Sequence, residues 1–288
     1  MIHRVLVAFD GSPASESALS IACSISGLTA SELIGLFVED SARFFQETFG
    51  MSLIQKLAGE MTTPTPLPPE QIAEVERVIE EESSGLALRF KDYCEKSRVV
   101  GRFLSIKGNP EEVIAECARS VDFVVIGSCG ECSLNLGSEH SVTTINSLLR
   151  NTSRPVLVVP EEALGESRLV IAYDGSLAAE RTLRAAAEFA ETSELETVHL
   201  ITISSSNESG AELQRPAVEY LKAYDIEVVP VILTGKPAEE IIKYAEKVDA
   251  SVVALGAFGS NRIKEALFGS VTTEILSNSH GTAVLLVA

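Results

Sequence analysis

The chain has 288 residues, enough for about two domains of ordinary size. Its 45% hydrophobic and 22% charged residues are typical of globular proteins, and its net charge of −18 disfavours nucleic acid or an anionic membrane as partner. No apolar run approaches the roughly 18 residues of a membrane helix. No signal peptide precedes the first apolar run, and five cysteines, an odd number, favour reduced thiols. We therefore expect a soluble, cytoplasmic protein.

The first elements read as a strand, a turn and a helix. Residues 5–9 are apolar on both faces, as in a central parallel strand covered by helices. Asp10-Gly11-Ser12 follows, and residues 15–23 have helical periodicity. Such a turn is a common helix cap, so by itself it says little about function.

An extra stretch runs from Ser41 to about Ser97. It contains an amphipathic segment, residues 44–61, and a proline-rich breaker, residues 63–69. A long helix from about Glu70 then places four apolar residues on one face: Ile72, Val75, Val78 and Ile79. The first interpretation is a packed excursion with a crossover helix. The second makes residues 44–61 a lid or an oligomer surface.

The rest of the first half continues the alternation of helix and strand. A helix over 110–119 begins at Pro110, where the missing N–H costs nothing. An apolar strand over 123–126 follows, then Gly127 and Gly130, and the half closes with an apolar strand over 156–159. Residues 160–167 form a short acidic linker.

Four segments of the first half occur a second time, whereas the extra stretch does not. Residues 5–12 reappear as 169–176, 108–114 as 235–241, 121–127 as 248–256, and 154–159 as 282–287, in the same order. Helices are expected at 178–189 and at 237–247. The order βαβαβ in each copy predicts an α/β protein with two doubly wound domains, residues 1–160 and 168–288, each with helices on both faces of a parallel sheet.

The second copy carries the pattern that suggests phosphate binding: Gly256-x-x-Gly259, nine residues, then Gly269-Ser270. The glycines allow close approach of backbone to a ligand. Free N–H groups at the start of the next helix, together with its dipole, attract anions. Hydroxyls of Ser270 and Thr272 can reach phosphate oxygens or Mg²⁺, while Arg262 and Lys264 stand within the nine-residue segment.

These motifs resemble those of the universal stress protein family over essentially the whole chain. The resemblance implies a sheet of strand order 3-2-1-4-5 in each half, with residues 156–159 and 284–287 meeting between the halves. It also implies Mg·ATP binding in the C-terminal half. There Ala172 and Asp174 would contact the nucleoside and Ile203 the adenine, with the phosphates on Gly256, Gly259, Gly269, Ser270, Val271 and Thr272.

The first copy departs from this pattern. His140 stands where Gly269 is expected, and Glu131 and Glu139 replace the basic pair, which disfavours a triphosphate. A second site, if formed, would use Ala8, Asp10, Val38, Gly127, Gly130, Ser141, Val142 and Thr143.

The functional hypothesis is a stress-response regulator that binds adenine nucleotide with slow or no hydrolysis, because no positioned general base is recognisable. One alternative is an interaction scaffold that needs no nucleotide. Separately, unknown protein partners and a homodimer are compatible with the sequence. A second alternative is a thiol redox sensor at Cys129 and Cys132, which also stand close to His140 as two potential zinc ligands. The other cysteines, Cys23, Cys94 and Cys117, are expected in helices as small core residues.

Overall fold

The computed structural model describes residues 2–49, 68–128, 139–162, 166–195, 197–224, 226–257, 270–278 and 281–288. The strands of the N-terminal half are β1 (Arg4–Ala8), β2 (Glu32–Glu39), β3 (Gly101–Lys107), β4 (Phe123–Gly127) and β5 (Val156–Val159). Its helices are α1 (Pro13–Thr29), α2 (Ser41–Phe49), α3 (Pro69–Ser97), α4 (Pro110–Ala118) and α5 (Glu139–Asn151).

The C-terminal half repeats this order with one helix fewer among the described residues. Its strands are β6 (Glu166–Ala172), β7 (Thr197–Ile203), β8 (Glu227–Leu233), β9 (Ala250–Gly256) and β10 (Ala283–Val287). Its helices are α6 (Leu177–Thr192), α7 (Asn207–Leu221), α8 (Pro237–Lys247) and α9 (Ser270–Asn278). Strand β6 begins inside the expected linker, so the connection between the halves is shorter than the sequence suggested.

The ten strands within the described ranges form one sheet, in the order β3-β2-β1-β4-β5-β10-β9-β6-β7-β8. Each half therefore has the expected order 3-2-1-4-5, with parallel pairing inside the half. The last strands of the halves pair antiparallel, with Val158 opposite Val284 and Val156 opposite Leu286. The expected meeting of the two final strands is thus confirmed.

The strands are apolar on both faces because each face supports its own core. Val5 and Val7 point into the cluster under α1 and α3, whereas Leu6 points into the cluster under α4 and α5. The same alternation recurs in β6, where Val170 faces the opposite cluster from its neighbours. A continuous apolar run is therefore the pattern that a doubly covered strand needs.

The first helix of each half makes an equivalent contact at the boundary between the halves. In α1 the hydroxyl of Ser17 donates to the carbonyl of Glu161, just after β5. In α6 the guanidinium of Arg181 donates to the carbonyl of Ala288, just after β10, at 3.1 Å. The boundary also contains a stacked aromatic pair, Phe123 of β4 and Phe189 of α6, with ring centroids 5.7 Å apart.

The extra stretch folds in part as the packed excursion that the sequence suggested. Phe44 of α2 is 1% exposed and meets Phe37 of β2 edge-on, with ring centroids 6.2 Å apart. In α3, Val75 and Ile79 are buried as expected, but Ile72 is 42% exposed because the first turns of this long helix extend beyond the core. Residues 50–67 lie outside the described part, so the expected breaker and the rest of the segment stay predictions.

Two further observations complete the fold. Sequence periodicity assigned no helix to residues 207–221, where α7 contains Pro216 in its interior. A proline there removes one helical hydrogen bond and weakens the helical pattern. Among the helices in the described ranges, none combines the length and apolar character that crossing a bilayer requires.

Candidate functional site

The Asp-Gly-Ser turns after β1 and β6 have the same geometry. Asp174 Oδ1 accepts the N–H of Ser176 at 2.9 Å, and the Ser176 hydroxyl caps α6 by accepting the N–H of Ala179 at 3.2 Å. Gly175 between them has φ +74°, a conformation that favours glycine. Asp174 therefore shapes the turn through one carboxylate oxygen, and the carboxylate remains exposed to solvent.

The N-terminal turn repeats these contacts with one addition. Asp10 Oδ1 accepts both the N–H of Ser12 at 3.1 Å and its hydroxyl at 2.6 Å, and Ser12 caps α1. The interpretation as turn and helix cap is thus realised in both halves. Because both halves have the same turn, the turn cannot show which half binds a ligand, and the residues around it must be compared.

Gly256 brings the fourth strand of its half against this turn. A Cβ built on Gly256 would lie 2.8 Å from the Cβ of Ala178 and 3.3 Å from its carbonyl carbon. The sequence suggested that this glycine makes room for a ligand. In the structure the room is taken by the first turn of α6, so Gly256 is needed for the close packing that sets Asp174 beside the end of β9.

The start of α9 supplies the third part of the site. Ser270 is exposed, Val271 is half-buried and Thr272 is 2% exposed. The Thr272 hydroxyl lies 3.4 Å from the carbonyl oxygens of both Gly256 and Ala257, so it holds α9 to the end of β9. The exposed Ser270 and the first N–H groups of the helix, which lack intrahelical acceptors, are the groups that can meet an anion.

The apolar residues assigned to the nucleoside share one face of the sheet. Ala172, Ile203 and Val271 are half-buried and pack against the same hydrophobic cluster, from the ends of β6, β7 and the start of α9. Ala8 and Val38 occupy the equivalent places in the N-terminal half. The expected residues that can be described thus meet at the carboxyl edge, where a doubly wound sheet binds ligands.

Several expected residues lie outside the described part of the chain. They are Gly259, Arg262, Lys264 and Gly269 in the C-terminal half, and Gly130 with Cys129, Glu131 and Cys132 in the N-terminal half. Glu139, His140, Ser141 and Val142 are in helix α5, and only their backbone is described. Thr143 follows them on α5 and is exposed, while Gly127 is buried against α1.

The two crevices differ in their charges. In the N-terminal half Arg89 of α3 forms an ion pair with Glu16, and its guanidinium carbon lies 5.6 Å from the centre of the Phe9 ring. In the C-terminal half Tyr173 takes the place of this phenylalanine. Burial, and then the carboxylates of Glu180 and Asp174, raise the pKa of Tyr173. The sequence repeat could not predict that Arg89 lies at this turn, because α3 belongs to the extra stretch.

Other polar and thiol groups serve the core. His199 of β7, for which the sequence offered no partner, has its Nδ1 3.0 Å from the hydroxyl of Tyr244 on α8, and burial lowers its pKa. Cys23 and Cys94 are buried as expected, whereas Cys117 is half-buried. Within the described ranges no group of three or more His, Cys, Asp or Glu side chains is arranged to hold a metal ion.

Comparison with known proteins gives a consistent picture. A universal stress protein of Synechocystis sp. is 24% identical over 157 residues, which are 54% of this chain and 54% of that protein. The alignment thus spans about half the length of this relative. A universal stress protein structure from Archaeoglobus fulgidus superimposes with a TM-score of 0.72 at 20% identity, covering 99% of this chain and 95% of that one.

A further solved relative, a universal stress protein in complex with cAMP, covers 43% of this chain and 97% of its own, at 23% identity and a TM-score of 0.38. The model of the universal stress protein family matches residues 1–160 and again residues 167–287. The chain therefore belongs to the universal stress protein family.

Proposed function

We propose that the protein is a cytoplasmic stress-response regulator that binds Mg·ATP at the carboxyl edge of its C-terminal half. The domains concerned are residues 1–160 and 168–288, and the nucleotide lies in the second. One observation carries the proposal: the turn at Asp174, the end of β9 at Gly256 and the start of α9 with its exposed Ser270 converge on one edge of the sheet. The sequence motif that ends at Gly269-Ser270 adds the phosphate-binding pattern.

Each part has a distinct task in this proposal. The free N–H groups at Ser270 and Val271, with Mg²⁺, neutralise the phosphates, and the helix dipole adds to the attraction. The exposed Asp174 carboxylate accepts hydrogen bonds from the ribose or the adenine. Ala172 and Ile203 supply the apolar surface under the base. Hydrolysis is slow in this proposal, because the sequence offers no recognisable general base positioned to activate a water molecule.

The N-terminal half is proposed to leave ATP unbound. In the sequence His140 replaces the expected glycine, and the added Glu131 and Glu139, with no Lys or Arg beside them, disfavour a triphosphate. Arg89 is already paired with Glu16. This half then acts as the scaffold that fixes the second half through the β5–β10 contact.

Isothermal titration calorimetry of the full chain with Mg·ATP tests the proposal, with a matched pair of variants. Asp174→Ala and Asp10→Ala each remove the turn hydrogen bond from the serine N–H, at a cost of about 1 kcal/mol, and Asp10→Ala also removes the bond from the Ser12 hydroxyl. Only Asp174→Ala is expected to weaken ATP binding, about tenfold or more, because it also removes a charged hydrogen-bond acceptor for the nucleoside. Gly269→Asp is expected to abolish binding by placing a carboxylate beside the phosphates.

Three results would contradict the proposal. They are no heat of binding at millimolar ATP, equal affinity of wild type and Gly269→Asp, or an equal loss of affinity in both aspartate variants. The last result would place the nucleotide in both halves. Circular dichroism of each variant confirms that the fold survives the substitution.

A further inference from the structure

The extra helix α2 covers a surface in the N-terminal half that its repeat leaves open in the C-terminal half. The two surfaces can be matched through the glycines of the Asp-Gly-Ser turns. A Cβ on Gly11 would lie 2.9 Å from Leu86 of α3, and a Cβ on Gly175 would lie 2.6 Å from Leu213 of α7. Leu86 and Leu213 are therefore structurally equivalent.

Their exposure is very different. Leu86 is 2% exposed, whereas Leu213 is 38% exposed and Leu177, at the start of α6, is 64% exposed. In the N-terminal half, α2 packs on α3 through buried Phe44. The guanidinium of the neighbouring Arg43 lies 3.4 Å from a carboxylate oxygen of Glu82. Glu82 stands one turn before Leu86 on α3. The C-terminal half has no segment equivalent to α2 between β7 and α7, since only residues 204–206 connect them, against residues 40–68 between β2 and α3.

The charges around Leu213 indicate what would cover it. Ser209 stands at the position equivalent to Glu82, one turn before Leu213, but the same part of α7 carries Glu208 and Glu212, both exposed. Glu180 of α6 adds a third exposed carboxylate near the same turn. In the first half, Arg43 of α2 pairs with Glu82. In the second half the carboxylates lie at neighbouring positions, and they suit a helix with a basic residue beside an aromatic one.

We propose that the surface formed by Leu177, Leu213, Glu208 and Glu212 docks an amphipathic helix of another protein. This helix presents an apolar or aromatic residue to the leucines and a basic residue to the carboxylates, as α2 does in the N-terminal half. A second copy of the chain cannot supply its own α2 without unfolding it, since Phe44 is held in the core. The surface adjoins the Asp174 turn, so a docked helix stands beside the proposed nucleotide site.

Fluorescence anisotropy with the full-length protein and stapled, labelled peptides tests this proposal without nucleotide, so the result is independent of ATP binding. The probes are a peptide of residues 40–49 and the same peptide with Glu47→Arg. Both are expected to bind, the second more tightly at low salt. Leu213→Gln is expected to weaken binding at least about tenfold, because one leucine contact is lost.

Leu88→Gln is the matched control, since Leu88 is a 70% exposed leucine on α3, away from this surface. It should leave the affinity unchanged. Failure of wild type to bind either peptide, or equal binding by wild type and Leu213→Gln, would overturn the proposal. Sedimentation would also overturn it if wild type self-associates and Leu213→Gln is monomeric, because the occupant would then be a second copy.

Discussion

Replacing Gly256 by alanine tests how the candidate site is built. The added Cβ would lie 2.8 Å from the Cβ of Ala178, closer than such atoms approach in proteins, so α6 must move away from β9. Its first turn resists this shift because the Ser176 cap and the Asp174 turn hold it. Overpacking of this kind costs about 1–3 kcal/mol. Alanine also restricts the unfolded chain more than glycine does, but this effect stabilises the folded state by less than about 1 kcal/mol.

Two alanine variants serve as controls for this prediction. Gly127→Ala makes the equivalent clash in the first half, where the Cβ would lie 2.8 Å from the carbonyl carbon of Ala14. It should destabilise the protein similarly but leave ATP binding intact. Gly85→Ala, at an exposed position of α3 with nothing within 4 Å, should stabilise by up to about 1 kcal/mol through helix propensity.

The assays are urea denaturation and ATP titration of all three variants. Each kcal/mol of lost stability lowers the Tm by roughly 2–4 °C in domains of 150–250 residues. We expect Gly256→Ala to lose both stability and ATP affinity, since the shift of α6 displaces Asp174. A Gly256→Ala protein as stable as Gly85→Ala would refute the packing argument. Equal loss of ATP affinity in Gly127→Ala would refute the assignment of the crevice.

Three further predictions concern the core. Burial lowers the pKa of His199, so the unfolded chain binds a proton more readily than the folded chain. The free energy of unfolding should therefore fall as the pH drops below about 6.5, and it should fall less in His199→Gln. Urea denaturation at pH 8 and pH 5 measures this difference. Burial raises the pKa of the Cys23 thiol, and it raises the pKa of the Cys94 thiol to about 12. Thiol reagents at pH 8 should therefore label both residues only after unfolding, which mass spectrometry can show. Rapid labelling of the native protein would contradict this prediction. The buried Gln214 amide donates hydrogen bonds to carbonyls of β7 and β8 at 2.9 and 2.8 Å. Gln214→Leu should therefore lower the free energy of unfolding by about 2–3 kcal/mol in chemical denaturation. As a control, Arg215→Ala at the exposed neighbouring position should change it by less than about 0.5 kcal/mol.

Much of the fold could be predicted because it follows from local patterns. Strands covered on both sides need continuous apolar runs, and the runs at residues 5–9 and 123–126 are strands β1 and β4. Proline at the first position set the starts of α4 and α8, at Pro110 and Pro237. Helix α7 was missed because an interior proline and buried Gln214 interrupt its apolar pattern.

Less of the candidate site could be predicted, because its geometry depends on contacts between distant segments. The sequence identified Asp174 and Thr272 as polar groups at strand and helix ends. It could not show that Thr272 is turned toward carbonyls of β9, nor that Gly256 makes room for α6. Such contacts depend on how α6 and α9 settle on the sheet, which periodicity does not encode.

By itself, the sequence determined the repeat and the class of fold, because hydrophobic periodicity and turn residues act over short stretches of chain. The strand order within each half was implied by the resemblance to the universal stress protein family. Tertiary structure alone decided which repeated positions remain equivalent. Phe9 and Tyr173 occupy one place in the repeat, yet Arg89 lies over the ring of the first, while burial, and then the carboxylates of Glu180 and Asp174, raise the pKa of the second. Leu86 and Leu213 also occupy one place, but only the first is buried, since α2 has no counterpart in the second half. The exposure of a side chain depends on everything that packs over it, and that is a property of the folded chain.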